Sequence, residues 1–281
     1  MRVAVLILAH KNPDQLGKLV LSLVRTFDVF VHIDKKARFN SCDLPRVVNL
    51  RVVKKHKISW GSFAMVEATL DLIRLAGPQN YDRFILISGQ DLPIKSNGEI
   101  LKFYSEHSDT NFMQSLNLKD WDSGGLERVT HWHFRSPIGT RGLAKLALRI
   151  SGFALSTVQK RLGFSRKMEW EFFCGSQWVD LTGETARAIL SLTEANPAFL
   201  RRFRATTCSD EIFFQTAVHF LGLENTCSPA QTRYIDWSSG PEFPRTLRIS
   251  DLEQLQASPA LFARKFDSAT DNEVIDHLLQ Q

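Results

Sequence analysis

Two patterns of apolar and polar positions alternate along the first 110 residues of the chain. A continuous apolar run, typical of a strand covered on both faces, predicts a strand at 3–8, and shorter, largely apolar segments predict strands at 28–33, 50–53 and 83–88. Apolar residues at helical spacing predict helices that begin near residue 13 and cover 63–76 and 97–104. Strands that alternate with helices indicate an α/β fold with a mostly parallel sheet and helices on both faces.

The second half of the chain becomes regular again after residue 170. We predict two short strands around Gly175, a helix at 183–195, a helix that starts at Ser209, a strand at 232–237 and two terminal helices. No internal repeat, low-complexity tract or linker-like composition interrupts the chain. The prediction is therefore one domain, with a nucleotide-binding half at 1–115 and an acceptor-binding, catalytic half at 116–281.

Polar residues follow several of the predicted strands. His10, Asp34 and Asp91 come directly after apolar runs, and in open parallel sheets ligands bind beyond the carboxyl ends of the strands. These three residues are candidates for a ligand site on topology alone.

A pair of acids precedes a strongly apolar segment in the stretch "TTCSDEIFFQT". Asp210 and Glu211 stand at the predicted start of a helix whose body is apolar, and burying a charge is costly unless it is paired or used. The pair is either a helix cap or part of a catalytic site.

Composition and charge limit the classes of function. The 43% apolar and 23% charged residues are ordinary for a globular protein, and the formal charge of +5 suits an anionic ligand or surface. No nucleic-acid-binding module accompanies this charge, so we predict no nucleic-acid partner. No apolar stretch is long enough to cross a membrane, the first strand lacks the features of a signal peptide, and we expect a cytoplasmic protein.

The four cysteines are dispersed and form no CxxC pair. Free thiols are therefore predicted at Cys42, Cys174, Cys208 and Cys227.

The segment 139–167 carries seven Lys or Arg residues, no acid, and leucines near helical spacing. One interpretation is a solvated basic helix packed on the domain. The other is a helix that lies on anionic lipid, which would place the protein at the inner face of the membrane. The sequence leaves both open.

Several familiar catalytic motifs are absent from the sequence, among them GxxxxGK[ST], GxGxxG, GxSxG and HExxH. The acids and cations that remain suit transfer from a nucleotide-activated donor. In that reaction a carboxylate takes the proton of the attacking hydroxyl, and positive charge meets the departing diphosphate. Asp120 and Asp122 form a D-x-D pattern that could hold a metal; without one, Arg233 and Lys265 are the candidate cations.

Eight motifs in order resemble the core-2/I-branching β-1,6-N-acetylglucosaminyltransferase family, which also contains the peptide O-xylosyltransferases. They span residues 6–267 and read "LILAHKNPDQL", "VHIDKK", "ISWGSFAMVEA", "LISGQDLPIKS", "GSQWVDLT", "SDEIFFQT", "TRYIDW" and "LFARKFD". The resemblance implies a GT-A-type fold, inversion at the anomeric carbon, and a UDP-sugar donor bound without a divalent metal or other cofactor.

The resemblance also implies roles for individual residues. Glu211 matches the general base, Arg233 and Lys265 match the cations on the pyrophosphate, and Asp34 matches the acid that contacts uracil. The segment 8–10, with Leu8 and His10, matches the stretch that flanks the base, and Asp91 matches a residue with a structural or donor-side role.

The two acids are then expected to divide their tasks. Neighbouring helical positions point about 100° apart, so we predict that Asp210 caps or braces the helix while Glu211 faces the acceptor. Carboxylates in a first helical turn gain about 0.3–1 kcal/mol each from the free N–H groups, and apolar surroundings raise the pKa of the base.

Acceptor contacts do not carry over, because 116–167 matches the family poorly. Gln177, Trp178 and Trp237 are candidates for binding a glycan or lipid-linked oligosaccharide acceptor. The donor is expected to be UDP-GlcNAc, with UDP-xylose as the enzymatic alternative and a non-catalytic sugar-nucleotide- or glycan-binding protein as the other class.

Overall fold

A computed structural model describes residues 1–77, 80–121, 125–133, 142–240 and 243–280 of the chain. The strands are β1 Val3–Ala9, β2 Asp28–Ile33, β3 Leu50–Val53, β4 Arg83–Ser88, β5 Asp91–Pro93, β6 Asn111–Phe112, β7 Leu116–Asn117, β8 Phe173–Cys174, β9 Asp180–Thr182, β10 Cys227–Ser228, β11 Arg233–Ile235 and β12 Phe262–Arg264. The α-helices are α1 Pro13–Leu23, α2 Phe63–Ala76, α3 Asn97–Glu106, α4 Glu127–Thr130, α5 Gly142–Arg161, α6 Gly183–Ala195, α7 Pro197–Phe203, α8 Phe213–Phe220, α9 Leu252–Ala257 and α10 Glu273–Leu279.

The central sheet has seven strands in the order β10-β6-β9-β4-β1-β2-β3. β1 pairs in parallel with β2 and β4, β2 with β3, and β6 with β10, whereas β9 runs antiparallel to both of its neighbours. The predicted α/β class with a mostly parallel sheet is confirmed. Both predicted halves of the chain contribute strands to this sheet.

Helices cover both faces of the sheet, as predicted. The odd-numbered residues of β1, from Val3 to Ala9, pack in a core with α1, α3 and α10, while Ala4, Leu6 and Leu8 pack in a second core with α2, α6 and α8. This division explains why β1 reads as a continuous apolar run, since both of its faces are buried.

A smaller sheet joins the C-terminal part of the chain to the segment that follows β4. β12 pairs in parallel with β11 and antiparallel with β5. The backbone N–H of Phe266 then donates to the carbonyl of Gln90 over 2.8 Å. The motif that contains Lys265 is thereby fixed beside the carboxyl ends of the central strands.

The segment of Asp210 and Glu211 differs from the prediction. Ser209–Glu211 form a separate 3-10 turn, and the α-helix begins only at Phe213, with Ile212 at the N-cap and no side chain capping it. Asp210 therefore does not cap the helix, and neither acid lies in its first turn. The prediction of a capping role for Asp210 is wrong.

The four cysteines are unpaired, as predicted. The basic segment contains the helix α5 over Gly142–Arg161, whereas residues 139–141 lie outside the described residues.

Candidate active site

Three neighbouring strands end at the same edge of the central sheet. In their parallel register Leu8 lies beside His32 and Ser88, so the residues that follow β1, β2 and β4 meet there. The predicted candidates His10, Asp34 and Asp91 all lie at this edge, with His10 exposed and the two acids buried. This confirms the placement derived from topology, while the ligand remains a prediction.

Asp34 is held in place by backbone donors. Its Oδ1 accepts the N–H of Lys36 over 2.9 Å and that of Ile58 over 3.3 Å, and Lys36 Nζ lies 3.7 Å from Oδ2. These contacts fix the carboxylate at the end of β2, close to the buried Leu8 on the neighbouring strand.

Asp91 organises the turn that follows β4. Its two carboxylate oxygens accept the backbone N–H and the hydroxyl of Ser88, each over 2.8 Å, and the residue is fully buried. Of the two predicted roles, these contacts support the structural one.

Arg264 lies between Asp91 and Trp178 and was missed by sequence analysis. Its guanidinium carbon is 4.0 Å from the centre of the Trp178 ring, and its Nε lies 3.5 Å from Asp91 Oδ1. Nε and Nη1 are buried without a hydrogen-bond partner. A largely buried arginine held over an aromatic ring, with part of its side chain exposed, is a candidate for contact with an anionic ligand. The only signal in the sequence is its position directly before Lys265.

Lys265 follows Arg264 and is half-buried. Its Nζ lies 5.4 Å from the centre of the Phe243 ring, and partial burial, Lys11 and Arg264 together lower its pKa. Neighbouring cations that disfavour each other's charge indicate a site that an anion would stabilise.

Arg233 lies on β11, which pairs with the strand of Arg264; burial and the charge of Arg233 both lower the pKa of Arg264. The side chain of Arg233 is only 4% exposed, and its guanidinium donates to the carboxylate of Asp180, to the Thr232 hydroxyl and to the carbonyl of Leu86. Asp180 also accepts the hydroxyl of the buried Tyr104 over 2.7 Å. These contacts favour a structural role for Arg233, and its assignment to the pyrophosphate stays a prediction.

Glu211 is positioned by contacts on both sides of the 3-10 turn. Cys208 has a left-handed backbone with φ of 49°, and its N–H donates to the carbonyl of Gly61 over 2.8 Å. The carbonyl of Glu211 accepts the N–H of Gly175 over 2.9 Å. A left-handed non-glycine residue is uncommon and persists only where the surroundings fix it. The base candidate is therefore held on a rigid turn.

The carboxylate of Glu211 faces Arg128, which sequence analysis also missed. Arg128 Nη1 lies 2.9 Å from Glu211 Oε2, and the Glu211 side chain remains 29% exposed. Burial raises the pKa of Glu211 above its ordinary value, and Arg128 opposes that shift. The apolar helix behind the turn was expected to raise this pKa, and the direction agrees. A partly open carboxylate whose pKa is raised by burial is a stronger proton acceptor than an ordinary carboxylate.

Asp210 points into the protein instead. Burial raises its pKa to about 7, the charge of Glu211 adds to this effect, and its Oδ1 has no hydrogen-bond partner. Two adjacent acids thus differ in environment, and Glu211 is the one open to a substrate.

The loop from Gly175 to Trp178 connects the two parts of the site. Gly175 binds the Glu211 carbonyl, and Trp178 packs under Arg264. A Cβ at Gly175 would meet the carbonyl oxygen of Gln114 at 2.1 Å, so only glycine fits. Gln177 Nε2 is buried without a hydrogen-bond partner. The predicted candidates Gln177 and Trp178 therefore lie on a segment that spans from the base to the cations.

The remaining predicted residues are not brought into this group by any described contact. Trp237 is half-exposed beyond β11. Asp120 lies in the 3-10 turn Leu118–Asp120, and its predicted partner Asp122 is outside the described residues. Among the residues that the structure describes, no three His, Cys, Asp or Glu side chains are grouped as metal ligands. Metal independence stays a prediction.

A mostly parallel α/β sheet with a partly open carboxylate in one part of the site and a separate group of cations in another is the arrangement expected of a glycosyltransferase. Comparison with known sequences agrees: residues 3–258 match the family described as Core-2/I-Branching enzyme, and the chain belongs to it. The resemblance inferred from the eight motifs is confirmed, and the protein is a glycosyltransferase by family.

Curated relatives of the chain are xylosyltransferases. Xylosyltransferase 2 of Mus musculus and that of Homo sapiens are each 24% identical to it, over 322 and 317 residues respectively, and xylosyltransferase 1 of Rattus norvegicus is 22% identical over 321. Each alignment covers 99% of this chain but only 33–35% of the relative. The chain thus spans about a third of the length of these proteins.

Proposed function

We propose that the protein transfers a sugar from a UDP-sugar to a hydroxyl group of a glycan acceptor, with inversion at the anomeric carbon and Glu211 as general base. The observation that carries this proposal is the Glu211 carboxylate, partly open, held on a fixed turn and with a pKa raised by burial.

The proposed transfer occurs in a single displacement, without a covalent intermediate between the sugar and the enzyme. The acceptor hydroxyl gives its proton to Glu211 as its oxygen attacks the anomeric carbon, and the bond from that carbon to the β-phosphate oxygen breaks. UDP leaves with the electron pair. Arg128, 2.9 Å from the base, orients the carboxylate and keeps part of it ionised.

Arg264 and Lys265 are proposed to meet the charge on the departing diphosphate. Arg264 stacks on Trp178 directly before Lys265, and partial burial together with the neighbouring cations Lys11 and Arg264 lowers the pKa of Lys265. Two fixed cations can stabilise a leaving group where other enzymes use a metal ion. Asp34, fixed at the end of β2, is proposed to contact the uracil.

Two donors are proposed as candidates. The family resemblance favours UDP-GlcNAc, and the relatives named xylosyltransferases favour UDP-xylose. The sugars differ by an N-acetyl group and by the C6 group, so the pocket opposite those positions decides between them.

The test is release of UDP from each donor in the presence and absence of EDTA. One of the two donors is expected to be turned over at least tenfold faster than the other, and EDTA is expected to leave that rate unchanged. Loss of activity in EDTA that Mn²⁺ restores would contradict the cation-based mechanism and favour the aspartates at 120 and 122. Binding of UDP-sugar without turnover of any donor or acceptor would favour the non-catalytic class.

The pH dependence of kcat/KM is expected to depend on Arg128. The base must be deprotonated, so activity rises as pH increases through the pKa of Glu211. Arg128 lowers that pKa, and Arg128→Gln should move the acidic limb toward higher pH by about one pH unit. The matched control is Arg204→Gln, which removes an arginine 3.6 Å from Glu67 and should leave the profile unchanged. An unshifted limb in Arg128→Gln would show that Glu211 is not the group that titrates.

A further inference from the structure

Helix α5 presents apolar side chains to the solvent. Leu143, Leu146, Ile150 and Phe153 are 86%, 55%, 60% and 75% exposed, and Leu162 and Phe164 just beyond the helix are exposed as well. Single exposed apolar residues are common on globular proteins, but a row of this kind on one helix is not.

The row lies on the side of the helix that faces away from the protein. At 100° per residue, positions 146, 150 and 153 fall within one narrow stripe. Gln159, which lies on the opposite side, is 4% exposed, and its Oε1 accepts the N–H of Trp132 over 2.8 Å. Leu148 and Leu155 on that same side are half-buried, so this side of the helix faces the protein, and the stripe of Leu146, Ile150 and Phe153 is a second apolar surface that stays exposed.

The charged residues of the segment itself are all positive, and one of them, Lys160, is paired with Glu127 outside the segment. The segment 142–167 contains no Asp or Glu, and Arg149, Lys160, Arg161 and Lys167 are exposed. An apolar stripe flanked by Lys and Arg complements a surface that combines acyl chains with negative headgroups. A second copy of this chain would bring two positive stripes together, which charge repulsion disfavours.

We propose that α5 lies in the headgroup region of an anionic lipid bilayer, with Leu146, Ile150 and Phe153 inserted. Within the described segments, no helix has both the length and the apolarity to cross a membrane, so the contact proposed here is peripheral. Of the two interpretations of the basic segment, the exposed apolar stripe favours lipid.

The position of α5 connects this surface to the active site. Lys160 Nζ lies 2.6 Å from Glu127 Oε1, and Glu127 begins the short helix α4 that carries Arg128, the partner of Glu211. A bilayer beneath α5 would therefore lie next to the helix that carries the partner of the proposed base, a position from which a lipid-linked acceptor could reach Glu211. This consequence, access to a lipid-linked acceptor, rests on the proposed function; the lipid contact does not.

The test is flotation of the purified chain with vesicles of phosphatidylcholine alone or with about 30 mol% phosphatidylglycerol. The wild-type chain is expected to partition into the anionic vesicles at least tenfold more strongly than into the neutral ones, and high salt should weaken that binding. The double variant Ile150→Asn/Phe153→Asn should lose at least tenfold of the partitioning. Arg149→Gln/Arg161→Gln should lose a similar factor on anionic vesicles only.

The matched control is Val48→Asn, which removes an apolar side chain 82% exposed elsewhere on the surface and should leave binding unchanged. All variants change exposed side chains, so their thermal unfolding and their UDP release without vesicles should equal those of the wild type. UDP release without vesicles thus tests the proposed transfer reaction, whereas flotation tests lipid binding, so failure of one is distinguished from failure of the other. Equal partitioning of the wild type and the Ile150/Phe153 variant would overturn the proposal. A wild-type chain that self-associates but does not bind vesicles would overturn it as well.

Discussion

Replacing Glu211 with Gln is expected to lower kcat for sugar transfer by about 10²–10⁴-fold, the usual contribution of a general base. The amide has nearly the shape of the carboxylate but cannot accept the proton of the attacking hydroxyl. Because no donor contact is assigned to Glu211, the affinity for UDP should change less than about threefold. Steady-state kinetics and calorimetric titration with UDP measure the two effects separately.

A matched control for this variant is Glu253→Gln on the exposed side of α9, which should be fully active. A Glu211→Gln protein that turned over at the wild-type rate would remove the base assignment. A protein with weakened UDP binding and unchanged kcat would instead make Glu211 a donor-binding residue.

Removal of the donor-side cations is expected to have the second largest effect. Arg264→Met and Lys265→Met should each weaken UDP binding by about 10–100-fold, because a hydrogen bond to a charged group is worth about 1.5–3 kcal/mol. Both substitutions should also lower kcat, since the charge on the leaving diphosphate is greatest as its bond breaks. Titration with UDP and with uridine separates the diphosphate contribution, because uridine binding should be unchanged.

Arg233→Met distinguishes the assignment of the diphosphate to Arg264 and Lys265 from the assignment to Arg233 and Lys265 that the sequence suggested. Its guanidinium is paired with buried Asp180, so its loss should destabilise the fold by about 3–5 kcal/mol. Any loss of UDP binding should follow the loss of folded protein. Lys102→Met, on the exposed side of α3, serves as the neutral control for all three. Weakened UDP binding by a fully stable Arg233→Met protein would restore Arg233 to the donor site.

Much of the fold could be predicted from the sequence because its central strands are unambiguous. β1, β2 and β4 are buried on both faces and therefore read as largely apolar segments, which predicted a mostly parallel sheet and the shared edge of Asp34 and Asp91. The short strands β6, β7 and β8 have two residues each and leave no such pattern.

The site was harder to predict because its pairings join residues remote in sequence. Arg233 and Asp180 are 53 positions apart, and nothing in either local pattern shows that each neutralises the other. Arg128 and Glu211 are 83 positions apart, in a region with no regular motif around the arginine. The acids at 210 and 211 were predicted to begin a helix because apolar residues follow them. In the structure the left-handed Cys208 precedes a separate 3-10 turn that contains both acids.

The most direct measurement is a crystal structure of the protein with UDP, grown in EDTA. Our account predicts that the diphosphate oxygens lie within hydrogen-bond distance of the Arg264 guanidinium and the Lys265 ammonium group, and that the uracil lies beside Asp34. A diphosphate bound away from both cations, or bound only when a divalent metal is supplied, would contradict it.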